Sequence, residues 1–205
     1  IAKIKQLSDA NEALSYIQKS LKLRENFSPY AKLYSQILTE EKKYLAAKKF
    51  LKKTWTYNSH PELKPSIIKL GGDSNEGILV VAQYIVGSNN NEDSIMLLVE
   101  ALIMEKKWNE ARNKIKNLLD VRPKKEVCLL MAKIEEAENS NLQKINSWTI
   151  RADKGAENNT WICETSHKQQ NEWTSVSYGG YFNSLVWKQP NMLNQIKINI
   201  DNNDN

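Results

Sequence analysis

Cys163 and Ser166 stand three residues apart, and Ser177 and Gly180 repeat that spacing a short distance on. This is the outline of two metal knuckles. A tetrahedral zinc or iron site takes four soft ligands, most often from two Cys-x-x-Cys pairs. Here only Cys163 occupies such a position, and His167 adds one further candidate. Two ligands do not hold such an ion, so the segment is read as metal-free and held by aromatic packing. His60 precedes Pro61 and is read as a residue that starts a helix rather than as a haem ligand. The chain has two histidines, far apart, and lacks a Gly-rich phosphate loop, His-Glu-x-x-His or Gly-x-Ser-x-Gly. The adjacent acids Glu40-Glu41 and Glu135-Glu136 point apart on a helix and are read as solvated. These residues predict no enzyme: no catalytic group, no cofactor and no metal.

The surrounding composition is that of a helical protein. The 205 residues are 40% hydrophobic and 26% charged, with 7 Gly and 5 Pro, too few for the turns of an all-β fold. The longest aliphatic run, Ile78 to Ala82, is too short to span a bilayer. Net charge is +5, and residues 151–205 hold five basic against six acidic groups, so the positive excess lies before them. That excess favours an acidic protein or an anionic membrane surface over nucleic acid, because Lys and Glu alternate and no arginine cluster appears. Cys128 sits in an apolar run and is read as a small buried residue, so two cysteines make no disulfide framework.

A repeat organises the first three quarters of the chain. Ala13, Ala47 and Ala111 each lie one turn into a helix that follows a polar turn. The interval from Ala47 to Ala111 divides through Gly77, after the turn Asp73 to Gly77, and a further step reaches Ile145. Small residues allow antiparallel helices to approach, and Tyr44 and Trp108 fill the space between units. Ile17, Leu51, Val81 and Ile115, four residues after each small position, continue the core face. Pro61 and Pro65 are read as disrupting the leading helix of the unit over 61–91, and residues 1–25 as the second helix of a pair.

After Arg151 the helical period is lost. Trp161, Trp173, Tyr178, Tyr181, Phe182 and Trp187 fall in a segment that cannot bury them alone, so it is expected to pack on the last repeat and cap the open end. The expected organisation is an all-α repeat domain over 1–155, an irregular Trp-rich extension over 156–190 and a polar, mobile tail over 191–205.

The pattern resembles the tetratricopeptide (TPR) consensus, most clearly over Glu100 to Ala111, and implies a TPR-like α-solenoid of antiparallel helix pairs. Lys124 to Glu138, with the later run Phe182-Asn-Ser-Leu-Val-Trp187, further resembles HemY-type bacterial TPR proteins of the α-proteobacterial branch. Asn183 replaces an aspartate usual in that run. The resemblance implies the soluble domain of an inner-membrane protein, held by an N-terminal anchor that the sequence does not include and associated with late haem biosynthesis. It implies other proteins as partners, among them late haem-biosynthesis enzymes, and brings no catalytic residues. The TPR groove positions fall on Lys32, Gln36, Met96, Glu100, Ile103, Leu130 and Ile134. Met96, Ile103, Leu130 and Ile134 would form an apolar strip for a partner helix or extended segment, or a seat for the tail's own tryptophans. A general TPR adaptor unconnected to haem, and direct binding of haem or porphyrin, are the alternatives.

Overall fold

The computed structural model describes residues 9–74, 76–119, 122–139 and 141–190. The expected polar tail over 191–205 and the first eight residues lie outside them. Among the described residues the chain forms nine helices in sequentially packed pairs, followed by a small antiparallel sheet. No helix among them is long and apolar enough to cross a membrane.

The helices are α1 (Ala10–Leu23), α2 (Ser28–Glu40), α3 (Tyr44–Tyr57), α4 (Lys64–Asp73), α5 (Ile78–Val86), α6 (Glu92–Met104), α7 (Trp108–Ile115), α8 (Lys125–Asn139) and α9 (Leu142–Asp153). Four hairpins result: α2 with α3, α4 with α5, α6 with α7, and α8 with α9. Helix α1 packs on α2 as the odd member. First helices also touch one another across hairpins (α2 with α4, α6 with α8), and α3 touches α5.

The hairpin turns show why the pattern recurs. After α2, Lys42 takes a left-handed φ of 56° and the Lys43 N–H donates to Leu38 O at 2.8 Å. After α6, Lys106 takes φ 59° and the Lys107 N–H donates to Leu102 O at 2.9 Å. Both are the six-to-one closure that satisfies a helix's last carbonyls. Between α4 and α5 the left-handed residue is Gly77, with φ 91°. Gly77 therefore lies outside its helix, and the repeat runs through Val81 instead. Ala13, Ala47, Val81 and Ala111 are each the fourth residue of their helix and each fully buried, and Ile17, Leu51, Ile85 and Ile115 follow one turn later in the core. The repeat step is then 34 residues from Ala13 to Ala47 and from Ala47 to Val81, and 30 from Val81 to Ala111.

Two other expectations change. Pro61 opens a 3-10 turn (Pro61–Leu63) and Pro65 sits in the first turn of α4, where a missing N–H costs nothing, so the prolines start that helix rather than break it. Glu135 is buried, 3.0 Å from Arg112 and 3.4 Å from Lys144, because its side of α8 faces α7 and α9. Buried polar links tie the units together: Trp55 Nε1 donates to Ser94 Oγ at 2.8 Å, and Lys64 Nζ lies 3.0 Å from Glu100 and 2.7 Å from Glu126.

The extension is ordered as a sheet, so the fold is mostly helical rather than all-α. Strand β1 (Thr160–Cys163) lies between β2 (Gln169–Gln170) and β3 (Leu185–Lys188), both antiparallel to it. Trp161 pairs with Trp187 and Cys163 with Leu185, which places these four on one face. The sheet leaves α9 through a close crossing of the chain: Ala156 N–H donates to Pro123 O at 3.1 Å and Lys125 N–H to Ala156 O at 2.9 Å. A Cβ on Gly155 would stand 2.7 Å from Pro123 O, so this crossing requires glycine.

Candidate functional site

The sheet does not stop at the last hairpin. It lies across the N-terminal ends of the first helices and reaches back to α2. At α8, Asn158 Oδ1 accepts from Glu126 N–H at 3.2 Å. At α6, Trp187 lines a small cavity with Glu92, Asp93 and Met96. At the turn before α4, Trp161 Nε1 donates to Glu62 Oε1 at 2.7 Å. At α2, Phe27 meets Trp173 with ring centroids 5.0 Å apart, edge to face, and Tyr30 meets the same indole at 5.8 Å. The reason is hydrophobic: one face of the sheet carries Trp161 and Trp187, Trp173 follows β2 on the same side as Phe27, and these large rings need more apolar cover than three short strands supply.

His60 is at the centre of this contact. Its ring stacks on Trp161 at 5.7 Å and tilts against Trp187 at 4.5 Å. Nδ1 accepts from Glu62 N–H at 3.3 Å, which starts the 3-10 turn, while Nε2 is buried without a partner. Burial pulls its pKa down to about 4, so the ring is neutral at pH 7. Glu62 also accepts from Ser28 Oγ at 3.3 Å, and burial outweighs these donors to raise its pKa. Asp93 is pushed up to about 6, again mainly by burial. Lys64 is raised, since Glu100 and Glu126 overcome its burial.

Of the residues with metal-knuckle spacing, Ser166 and Ser177 gather round the Cys163 sulfur, and Ser184 joins them. Cys163 Sγ lies 3.4 Å from Ser166 N, 3.3 Å from Ser177 Oγ and 3.2 Å from Ser184 Oγ. Burial pushes the thiol up, but the donors from Ser166, Ser177 and Ser184 bring it down to about 6. Among the described residues no three His, Cys, Asp or Glu side chains converge as a metal site would need. The knuckle is closed by hydroxyls and a thiol.

Below the knuckle the chain makes a tight outward turn. Val176 bridges Phe182, Ser177 N–H donates to Tyr181 O at 2.9 Å, and Gly180 takes φ 82°. Tyr178 is 71% and Phe182 76% exposed, with Tyr181 and Val176 also outside. From Trp173 to Trp187 no side chain carries charge.

The seven groove positions are distributed differently. Met96, Leu130 and Ile134 are 2%, 3% and 0% exposed and belong to the core between helices. Ile103 is half-buried against that core. Glu100 is held by Lys64, while Lys32 and Gln36 are half-buried on α2. Met96 shares a small cavity with Trp187. Sequence reasoning overlooked Glu62 and the outward turn. The Tyr-Gly-Gly-Tyr-Phe run in an uncharged stretch was the available signal for the latter. No family model matches the chain, and no curated protein matches it.

Proposed function

We propose that this chain is a non-catalytic scaffold of TPR-like helical repeats that holds other proteins. The single observation that carries the reading is the outward turn at 176–182. It presents Tyr178, Tyr181 and Phe182 to solvent from a base pinned on Cys163. Exposed aromatics on a stiff turn rich in Ser and Gly are the composition of protein-binding loops, because tyrosine supplies contact area at low entropic cost. The matching turns at Lys42 and Lys106 support the TPR-like solenoid.

The HemY-type resemblance of residues 124–138 and 182–187 supplies the setting. In this reading the domain belongs to a protein anchored at the bacterial inner membrane, and its partners are late haem-biosynthesis enzymes. Lys32 and Gln36, half-buried polar positions on α2, are taken as a second contact.

The test is crosslinked affinity capture from solubilised membranes with the wild type, a Tyr178→Asp/Phe182→Asp variant and a Lys32→Glu/Gln36→Glu variant. Specific partners lost with the turn variant support the scaffold reading, and late tetrapyrrole enzymes among them support the setting. An unchanged set with both variants overturns the assignment of these surfaces. Other partners overturn the haem link, and a Soret shift on porphyrin titration overturns the absence of a cofactor.

A further inference from the structure

Helix α3 contains Lys48, Lys49, Lys52 and Lys53 and no acidic residue, and Lys42 and Lys43 precede it in the turn. Its outward stripe runs Leu45, Lys49, Lys53 and Tyr57, four residues apart, so these side chains share one face, and Lys42 is exposed in the turn before it. Leu45 is 61% and Tyr57 70% exposed. Helix α5, packed beside it, has no charged residue and presents Val80 at 53% exposure together with Tyr84. Lys52 lies over the Tyr84 ring at 4.1 Å and Lys48 at 5.1 Å.

Acidic groups reach only part of this face. Glu25 lies 3.5 Å from Lys53 and Glu76 2.6 Å from Lys48, and Glu40 and Glu41 stand at the preceding turn. Among the described residues Lys42, Lys43 and Lys49 make no ion pair.

We propose that the α3–α5 face docks on an anionic lipid bilayer. The lysine ammoniums meet headgroup phosphates, and Leu45, Val80 and the two tyrosines enter the interfacial layer. Long lysine stems let the charge stay at headgroup level while the apolar neighbours sink. Tyrosines at the margins suit the same depth. A bilayer accepts a ridge of protruding apolar side chains among cations, whereas acidic motifs are recognised by arginine clusters, and the α3–α5 face carries lysines without an arginine. The inference stands apart from the scaffold reading and from any anchor.

The experiment is co-sedimentation of the chain with vesicles of phosphatidylcholine alone or mixed with phosphatidylglycerol, at low and high salt. Lys43→Glu/Lys49→Glu is compared with Lys116→Glu/Lys133→Glu, which changes net charge equally elsewhere. Thermal melts by circular dichroism verify that each variant folds. The expected result is salt-sensitive binding to the anionic vesicles alone, weakened at least about tenfold by the first pair and less than about twofold by the second. Leu45→Ser should weaken binding at either salt concentration. Equal loss with both pairs, or no vesicle binding with capture of a polyglutamate peptide instead, overturns the proposal.

Discussion

The indole of Trp161 donates to the carboxylate of Glu62 at 2.7 Å across 99 residues of sequence, joining the sheet to the second hairpin. Glu62→Ala should leave both this N–H and the Ser28 hydroxyl unpartnered, costing about 1–3 kcal/mol. Glu62→Gln keeps an acceptor and should cost less. Hydrogen exchange over β1 to β3 measures the difference: faster exchange in the alanine variant alone supports a clasp, and equal protection in both refutes it.

His60 predicts an acid-sensitive clasp. Its folded pKa, about 4, lies below its ordinary 6.5, so the unfolded chain binds more protons between those values. The stabilisation is present above pH 6.5 and is lost as pH falls toward 4. His60→Gln should flatten that slope in urea melts taken across the interval.

Asp93 works in the opposite direction. Its folded pKa is raised to about 6, so the folded state takes up the proton first and gains stability as pH falls toward 4. Asp93→Asn should therefore steepen the acid loss that His60 produces. Parallel slopes for Asp93→Asn and the wild type would exclude this opposition.

Cys163 should contribute above neutral pH. With a folded pKa of about 6, below its ordinary 9, the thiolate adds stability that grows from pH 6 to pH 9 and vanishes as pH falls through 6. Cys163→Ala should abolish that rise and cost about 1–3 kcal/mol at pH 8, since the hydroxyls and the Ser166 N–H lose their acceptor. Because Cys163 is fully buried, its alkylation should also wait on opening of the sheet.

The revised repeat register makes its own prediction. Ala111→Leu should overpack the helix pair by about 1–3 kcal/mol. Val81→Ala should instead leave a cavity, with a cost of similar size. Gly77→Ala meets nothing closer than 3.7 Å, so its cost of about 1 kcal/mol is conformational, from a φ of 91°. Urea melts rank the three, and a neutral Gly77→Ala would return Gly77 to the helix.

How much was legible follows from these residues. The hairpins could be read because Glu-Lys-Lys and an aromatic recur at Tyr44 and Trp108, a local signal that folds into the same turn twice. Gly77 misled, being small for a backbone reason rather than for packing. Met96, Leu130 and Ile134 of the expected groove strip are buried between helices, because helix periodicity marks an apolar face without saying what covers it. The sheet was missed because its strands have two to four residues, too short for alternation to register, and β1 finds β3 only across the outward turn. Glu62 carried no motif; its role comes from a residue almost a hundred positions away.

Stacked helical hairpins contact only their neighbours, so such arrays fray from either end and can lose one unit at a time. A sheet that leaves the last hairpin and fastens onto Phe27 and Tyr30 joins the last hairpin to the first. Opening the first hairpin then requires releasing the C-terminal strands, and melting should become more cooperative than nearest-neighbour stacking allows. The cost is kinetic: the first hairpin cannot be fastened until residues 160–188 are available, which raises contact order and slows the final folding step.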